Sequence, residues 1–339
     1  MTEEAAKQAS RKRCSATVAS LSILTVLTIW IVFAQTKIDR DSYLAICPDK
    51  HKILKESPSP KVILVGGSNL ALGMDSALLE ARLKRPVVNM GTCIQVGLGY
   101  MLREIESDVK PGDTIAVIPE YEHWVDQFNG DKYLLMLPAL MPKSIAWITP
   151  SYLTPTSTVD RFTTDFSWMT HKRAKHMLPP VLTGKSSDDD DDAVLYNYSG
   201  FNRQGDFVAH LDLPGKSFDH SQASLSDFSH PNPAAIKAFN SIVKNMQARG
   251  ARVVLLPPVT TASFARLRKA QLDSFYKEVA EGLNAQVVSD YAEYALNDNY
   301  FFDCIYHVRK EGRKLRTEQV AADLKRVIQA QSQSKGRIL

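Results

Sequence analysis

A serine becomes a nucleophile when its hydroxyl is exposed and a base stands ready to take its proton. Two short segments of this 339-residue chain offer those parts. The first is Gly66-Gly67-Ser68-Asn69, directly after the apolar run Lys61-Val62-Ile63-Leu64-Val65. A buried strand feeding a glycine turn would put Ser68 on a sharp bend, with a helix N-terminus close by. Backbone N–H groups at such a bend suit a developing oxyanion. The second segment is Phe302-Asp303-Cys304-Ile305-Tyr306-His307, far downstream. His307 is the candidate base. Asp303 precedes it by four residues, close enough to orient the imidazole and stabilise its charged form. Each segment alone has a plain reading, as a turn or as a surface pair. Their joint position at the ends of the first and last strands of one pattern makes a triad the stronger reading.

That pattern is the frame that must position them. Strands are expected at Lys61–Val65, Pro86–Met90, Thr114–Ile118, Arg252–Leu256 and Gln286–Val288. Helices are expected at Asp75–Leu83, from Leu98 to Ile105, and after Asn232, which can cap a helix with Pro233 at its first position. A further helix is expected from Ala262 to Glu281, and a last one from Thr317, with Val320, Leu324, Val327 and Ile328 inward. Strands alternating with helices imply right-handed crossovers and a parallel sheet. The expected fold is α/β, a flavodoxin-like three-layer α/β/α sandwich with about five parallel strands. Parallel sheets bind ligands at the carboxyl edge, where both chemical segments fall.

The domain begins at residue 61 and runs to about 335, with an irregular insertion at 120–231. The insertion holds the acidic run Asp188 to Asp192, read as a solvated loop because neighbouring like charges repel. Residues 35–60 read as a polar stalk. From Ala16 to Ala34 there is no charged residue. At about 1.5 Å per residue this stretch just crosses a hydrocarbon core of roughly 30 Å. Lys7, Arg11, Lys12 and Arg13 crowd its N-terminal side. The expectation is therefore one transmembrane helix in the lipid bilayer over 16–34, with residues 1–15 as a cytoplasmic tail and the domain outside. A cleavable signal peptide ending near Val32-Phe33-Ala34 is the competing reading.

Net charge of +4 and 23% charged residues give no sign of a nucleic-acid surface. Cys14, Cys47, Cys93 and Cys304 form no CxxC pair or zinc spacing, although Cys93 and Cys304 could meet in the fold. No metal and no cofactor are expected. No lysine follows Ser68 at Walker spacing, so a phosphate loop is a poor fit.

The two segments resemble the SGNH (GDSL) hydrolase superfamily. Its members carry the nucleophilic serine after the first strand and an adjacent Asp and His before the last helix. The resemblance covers most of Lys61 to Gln331. It implies Ser68 as nucleophile, His307 as base and Asp303 as orienter. Asn89-Met90-Gly91 is similar to the glycine block after the second strand. The chain departs from the family in three places. Gly-Asp-Ser is here Gly66-Gly67-Ser68, Asp-x-x-His is here Asp-x-x-x-His, and the Gly-x-Asn-Asp block is here Pro119-Glu120-Tyr121-Glu122. The usual oxyanion amide is thus missing, and Asn69 or Asn89 would have to replace it. Gly91, Glu120 and Tyr121 complete the oxyanion and substrate-binding candidates.

With the anchor included, the chain looks like divergent, membrane-anchored members that modify envelope polysaccharide. What this implies is an extracytoplasmic serine esterase or O-acyltransferase. It would act on acyl esters of cell-envelope or secreted polysaccharide, beside a multi-pass membrane O-acyltransferase in a bacterial inner membrane. The alternative is a non-catalytic scaffold that holds polysaccharide for that acyltransferase.

Overall fold

The computed structural model describes residues 14–27, 40–148, 167, 195–219 and 230–336. Five strands form one parallel sheet: β1 (Val62–Val65), β2 (Val87–Asn89), β3 (Thr114–Val117), β4 (Arg252–Leu255) and β5 (Gln286–Val287). Their order is β2-β1-β3-β4-β5, the doubly wound arrangement in which the chain reverses direction beside β1. The register pairs Val62 with Val87 on one side and with Thr114 on the other. The expected strands are all present, each shortened by one or two residues at its ends.

The strands read as continuous apolar runs because both faces are covered. Ile63, Val65, Val88, Ile115, Val117, Val253 and Leu255 pack into one cluster. It contains α1 (Cys47–Glu56), α4 (Leu98–Glu106), α5 (Pro233–Ala248) and α6 (Lys269–Gly282). Val62, Leu64, Ala116, Ile118, Val254 and Leu256 pack on the other face. Their partners come from α3 (Ser76–Leu83) and α7 (Lys310–Gly336). Each fully buried Val or Leu here contributes roughly 1.5–3 kcal/mol. The short helix α2 (Ser68–Gly73) sits at the carboxyl end of β1.

Local chemistry explains several boundaries. Asp75 caps α3 by accepting from the Leu78 N–H. Asn232 caps α5, accepting from the Ala234 N–H, with Pro233 first in the helix. The helix expected over 262–281 is two helices, Ala262–Leu267 and α6, parted at Arg268. The last helix begins at Lys310, a full two turns before Thr317. Its first turns bury Arg313, Arg316 and Thr317 rather than apolar residues, so the hydrophobic period starts late.

Residues 40–60 are not a polar stalk. They form a 3-10 turn (Tyr43–Ile46) and α1, with Leu44, Ile46, Cys47 and Leu54 buried in the domain. Lys50 is buried too. It donates to the carbonyls of Asn89 and Gly205 at 2.8 and 2.5 Å, and burial lowers its pKa to about 8.

Residues 14–27 are helical and expose Val18, Leu21, Ile23, Leu24, Val26 and Leu27. Residues 28–34 of the expected span lie outside the described residues, as do residues 1–13 and the acidic run at 188–192. Among the described residues no helix is long and apolar enough to cross a membrane.

Candidate functional site

β1 delivers the chain into Gly66-Gly67 and then Ser68, the first residue of α2. The turn is tight because two groups crowd it. A Cβ on Gly66 would lie 2.2 Å from the Ile118 carbonyl oxygen, and one on Gly67 would lie 2.4 Å from the Glu120 carboxylate. A side chain at either position would force its neighbour to move. Ser68 is half-buried and lines a cleft of about 1010 Å³.

His307 lines the same cleft. It stands on the loop between an antiparallel bridge, Phe301 to Val308, and is further held by the Phe302 N–H donating to its carbonyl. The loop folds Asp303 back on the imidazole, with Asp303 Oδ1 2.8 Å from His307 Nδ1. The other oxygen, Oδ2, accepts from the Tyr196 hydroxyl. Burial would raise the Asp303 pKa, but His307 and Tyr196 outweigh it and hold it below the usual carboxylate range. Burial likewise opposes a charged His307. Cys304 and Asp303 overcome that and hold the imidazole pKa well above its ordinary value.

The amide candidates are placed elsewhere. Asn69 is fully buried; its Nδ2 donates to the Ile118 carbonyl at 3.0 Å, and its Oδ1 accepts from Arg316. Asn89 is buried and donates to Asp206 Oδ1 at 2.8 Å, while its own Oδ1 accepts the Gly91 N–H at 2.9 Å. Neither amide lines the cleft, and the Gly91 N–H is already engaged. Tyr121 is buried among Phe264, Phe275, Tyr276 and Tyr306. These residues build the frame around Ser68 and do not face the cleft.

Glu120 has a distinct position beneath the Gly66–Ser68 turn. Its Oε2 accepts from the Gly67 N–H at 3.1 Å and its Oε1 from the Asn69 N–H at 2.8 Å. It therefore grips the backbone on both sides of Ser68. His123 Nδ1 lies 3.1 Å from Glu120 Oε2, and both side chains are sealed from solvent. Burial alone would raise the Glu120 pKa, but His123 and the Asn69 N–H pull it down to about 2.

The cleft walls come from three places. Asp41 to Leu44 form one, Cys93, Ile94 and Gln95 after β2 another, and Tyr133, Met136 and residues 196–199 of the insertion the third. Sequence reasoning missed Tyr43, Tyr133, Tyr196 and Tyr198 as cleft residues. The abundance of tyrosine near Ser and Asn in the insertion was the available signal, but no periodicity located it. Cys93 and Cys304 are both free, and burial pushes the Cys93 thiol up to about 12.

The segment Asn202 to Asp206 closes the insertion onto the sheet edge. Asp206 is fully buried and accepts from the Ser76 N–H and hydroxyl, from Asn89 and from Arg313. Among the described residues, one trio of metal-capable side chains brings its donor atoms within 4.8 Å: Asp303, Cys304 and His307. Within it the Asp303–His307 hydrogen bond already has the geometry of an acid–imidazole pair.

Fold and site together define a doubly wound α/β protein with a serine, an imidazole and a carboxylate at one sheet edge. No protein-family model matches the chain, and no curated protein matches it.

Proposed function

We propose that this protein is a serine esterase or O-acyltransferase that works through an acyl-serine intermediate. The observation that carries the reading is that Ser68 and an Asp303-bonded His307, from opposite ends of the domain, line one cleft. Ser68 Oγ attacks an acyl carbonyl while His307 takes its proton. Asp303 stabilises the imidazolium that forms. The developing oxyanion is met by the Ser68 N–H. The leaving alcohol takes the proton from His307, and the acyl group then passes to a sugar hydroxyl or to water.

The flavodoxin-like sandwich and the SGNH-like order of serine, aspartate and histidine support this reading. The acyl esters would be those of cell-envelope or secreted polysaccharide. The uncharged stretch from Ala16 to Ala34 would hold the domain just outside a bacterial inner membrane, where a multi-pass O-acyltransferase could share the acceptor. Asp41 to Leu44 follow that stretch closely and form a wall of the cleft, which would keep the cleft near the lipid surface. Incubation of the full chain with an activated ester should give an acyl-enzyme by mass spectrometry. Ser68→Ala should remove it, and full-level acylation of that variant would sink the proposal.

One observation favours a second reading, a non-catalytic polysaccharide scaffold. The place of the oxyanion amide is taken by Tyr121, which is buried and does not line the cleft, and the Gly67, Asn69 and Gly91 N–H groups around Ser68 are all engaged. A scaffold tolerates Ser68→Ala when that variant complements a deletion strain; an enzyme does not.

A further inference from the structure

Tyr196 lies in the insertion, remote in sequence from both chemical segments, yet it touches the pair that would act as base. Its hydroxyl donates to Asp303 Oδ2, while Asp303 Oδ1 faces His307 Nδ1 at 2.8 Å. The carboxylate is therefore held at both oxygens, and it cannot rotate about its bond to Cβ without losing one partner. The Tyr196 ring lies 6.2 Å from the His307 ring and lines the cleft beside it.

Tyr196 is itself anchored to the nucleophile helix. Its ring stacks on Phe207 with centroids 5.5 Å apart and meets the edge of Tyr43 at 6.3 Å. Phe207 packs on Ala71 and Leu72 of α2, and its N–H donates to the Ala71 carbonyl at 2.7 Å. Next to Tyr196, Asn197 bridges to Ser42. A continuous set of contacts thus runs from the helix that begins with Ser68, through Phe207 and Tyr196, to Asp303 and His307.

We propose that Tyr196 is a positioning residue of this site: its hydroxyl fixes the rotamer of Asp303, so the imidazole is aligned only when the insertion is docked on α2. The proposal rests on the serine acyl-transfer reading and deepens it. It makes the cleft wall and the base one unit, so a ligand that disturbs residues 196–199 also disturbs the proton transfer.

The test uses the full chain, a fluorophosphonate probe for Ser68 and an activated acetate ester. Tyr196→Phe keeps the ring and its stacking and removes only the hydroxyl. It should slow both reactions about tenfold or more, the scale of one hydrogen bond to a charged group. Removing that donor leaves Asp303 a more basic carboxylate, which favours the imidazolium. The acid limb of the pH–rate profile, where His307 must be neutral, should move to higher pH. Among the described residues, the ionisable groups Cys304, His210 and Lys216 also interact with this pair, and the variant leaves all three in place. In an Asp303→Asn background Tyr196→Phe should cost little further, because the residue acts through Asp303. Tyr291→Phe, which removes a tyrosine–Asp273 hydrogen bond far from the cleft, should leave rate and profile unchanged.

A Tyr196→Phe protein with the parent rate and pH profile would overturn the proposal. So would a cost that stays fully additive with Asp303→Asn, since that marks a structural role alone. If the parent protein shows no Ser68-dependent labelling at all, the acyl-transfer reading itself fails, and that outcome is distinct from the other two.

Discussion

Two carboxylate–imidazole pairs flank Ser68, and they differ chiefly in what reaches them. Asp303–His307 is half-buried, with its imidazole on the cleft. Glu120–His123 is sealed beneath the turn. In the first pair the carboxylate spends its second oxygen on a tyrosine and leaves the imidazole facing a large space. In the second it spends its oxygens on the Gly67 and Asn69 N–H groups and faces no space. The same two chemical groups can thus serve proton transfer or hold a backbone turn, and access to a ligand separates the roles. Ionised Glu120 only accepts hydrogen bonds, so in the proposed mechanism the oxyanion rests on the backbone N–H of Ser68.

The largest effect that would break the comparison is on rate. His307→Ala should lower ester turnover by up to about 10⁶-fold, and Asp303→Asn by roughly 10⁴-fold, while both proteins stay folded. Stopped-flow or steady-state ester hydrolysis reads this. Because Cys304 and Asp303 hold the His307 pKa well above the ordinary imidazole value, the rate should still be rising with pH above about 6.5.

The sealed pair should answer on stability. Glu120→Gln leaves buried N–H groups with a weaker acceptor and should cost about 3 kcal/mol in chemical denaturation. Its folded pKa of about 2 lies below that of an unfolded glutamate, so the stabilisation is present above about pH 4.3 and lost as pH falls towards 2. Acid unfolding of the parent should contain that component, and Glu120→Gln should lack it. A parallel fall in stability for His307→Ala would erase the distinction between the pairs.

Gly67→Ala is the smallest and sharpest change. Its methyl group would meet the Glu120 carboxylate at 2.4 Å and should cost about 1–3 kcal/mol of overpacking. Combined with Glu120→Gln the two costs should not add, because both act on one contact. Full additivity would show that the turn is held by something other than Glu120.

The sheet was legible because its physics is local. Val62 to Val65 is an uninterrupted apolar run ended by glycine, and Asn232-Pro233 announces a helix start. As candidates, Ser68 was legible because it follows the end of β1, and Asp303 and His307 because they stand four apart just before the last helix. The rest depended on long-range contacts without a period. Helix α1 buries Lys50 and His51 along with Leu54, so it reads as polar from sequence. Helix α7 opens with buried arginines, which hid its first two turns. Asn69 and Asn89 have the right chemistry for an oxyanion, but Arg316 and Asp206 claim their side chains, and both come from distant parts of the chain. Tyr196 carries no neighbouring pattern at all; its partner is a hundred residues away in sequence and a hydrogen bond away in space.

The central claim is that Ser68, and no other residue, is the nucleophile of this cleft. Its most direct measurement is intact-mass analysis of the full chain after exposure to a fluorophosphonate, followed by peptide mapping. The account predicts one adduct, on Ser68, which is absent from Ser68→Ala, strongly slowed in His307→Ala and formed at the parent rate in a folded control such as Tyr291→Phe. An adduct that persists in Ser68→Ala, or the absence of any adduct on Ser68 in the folded parent protein, would contradict it.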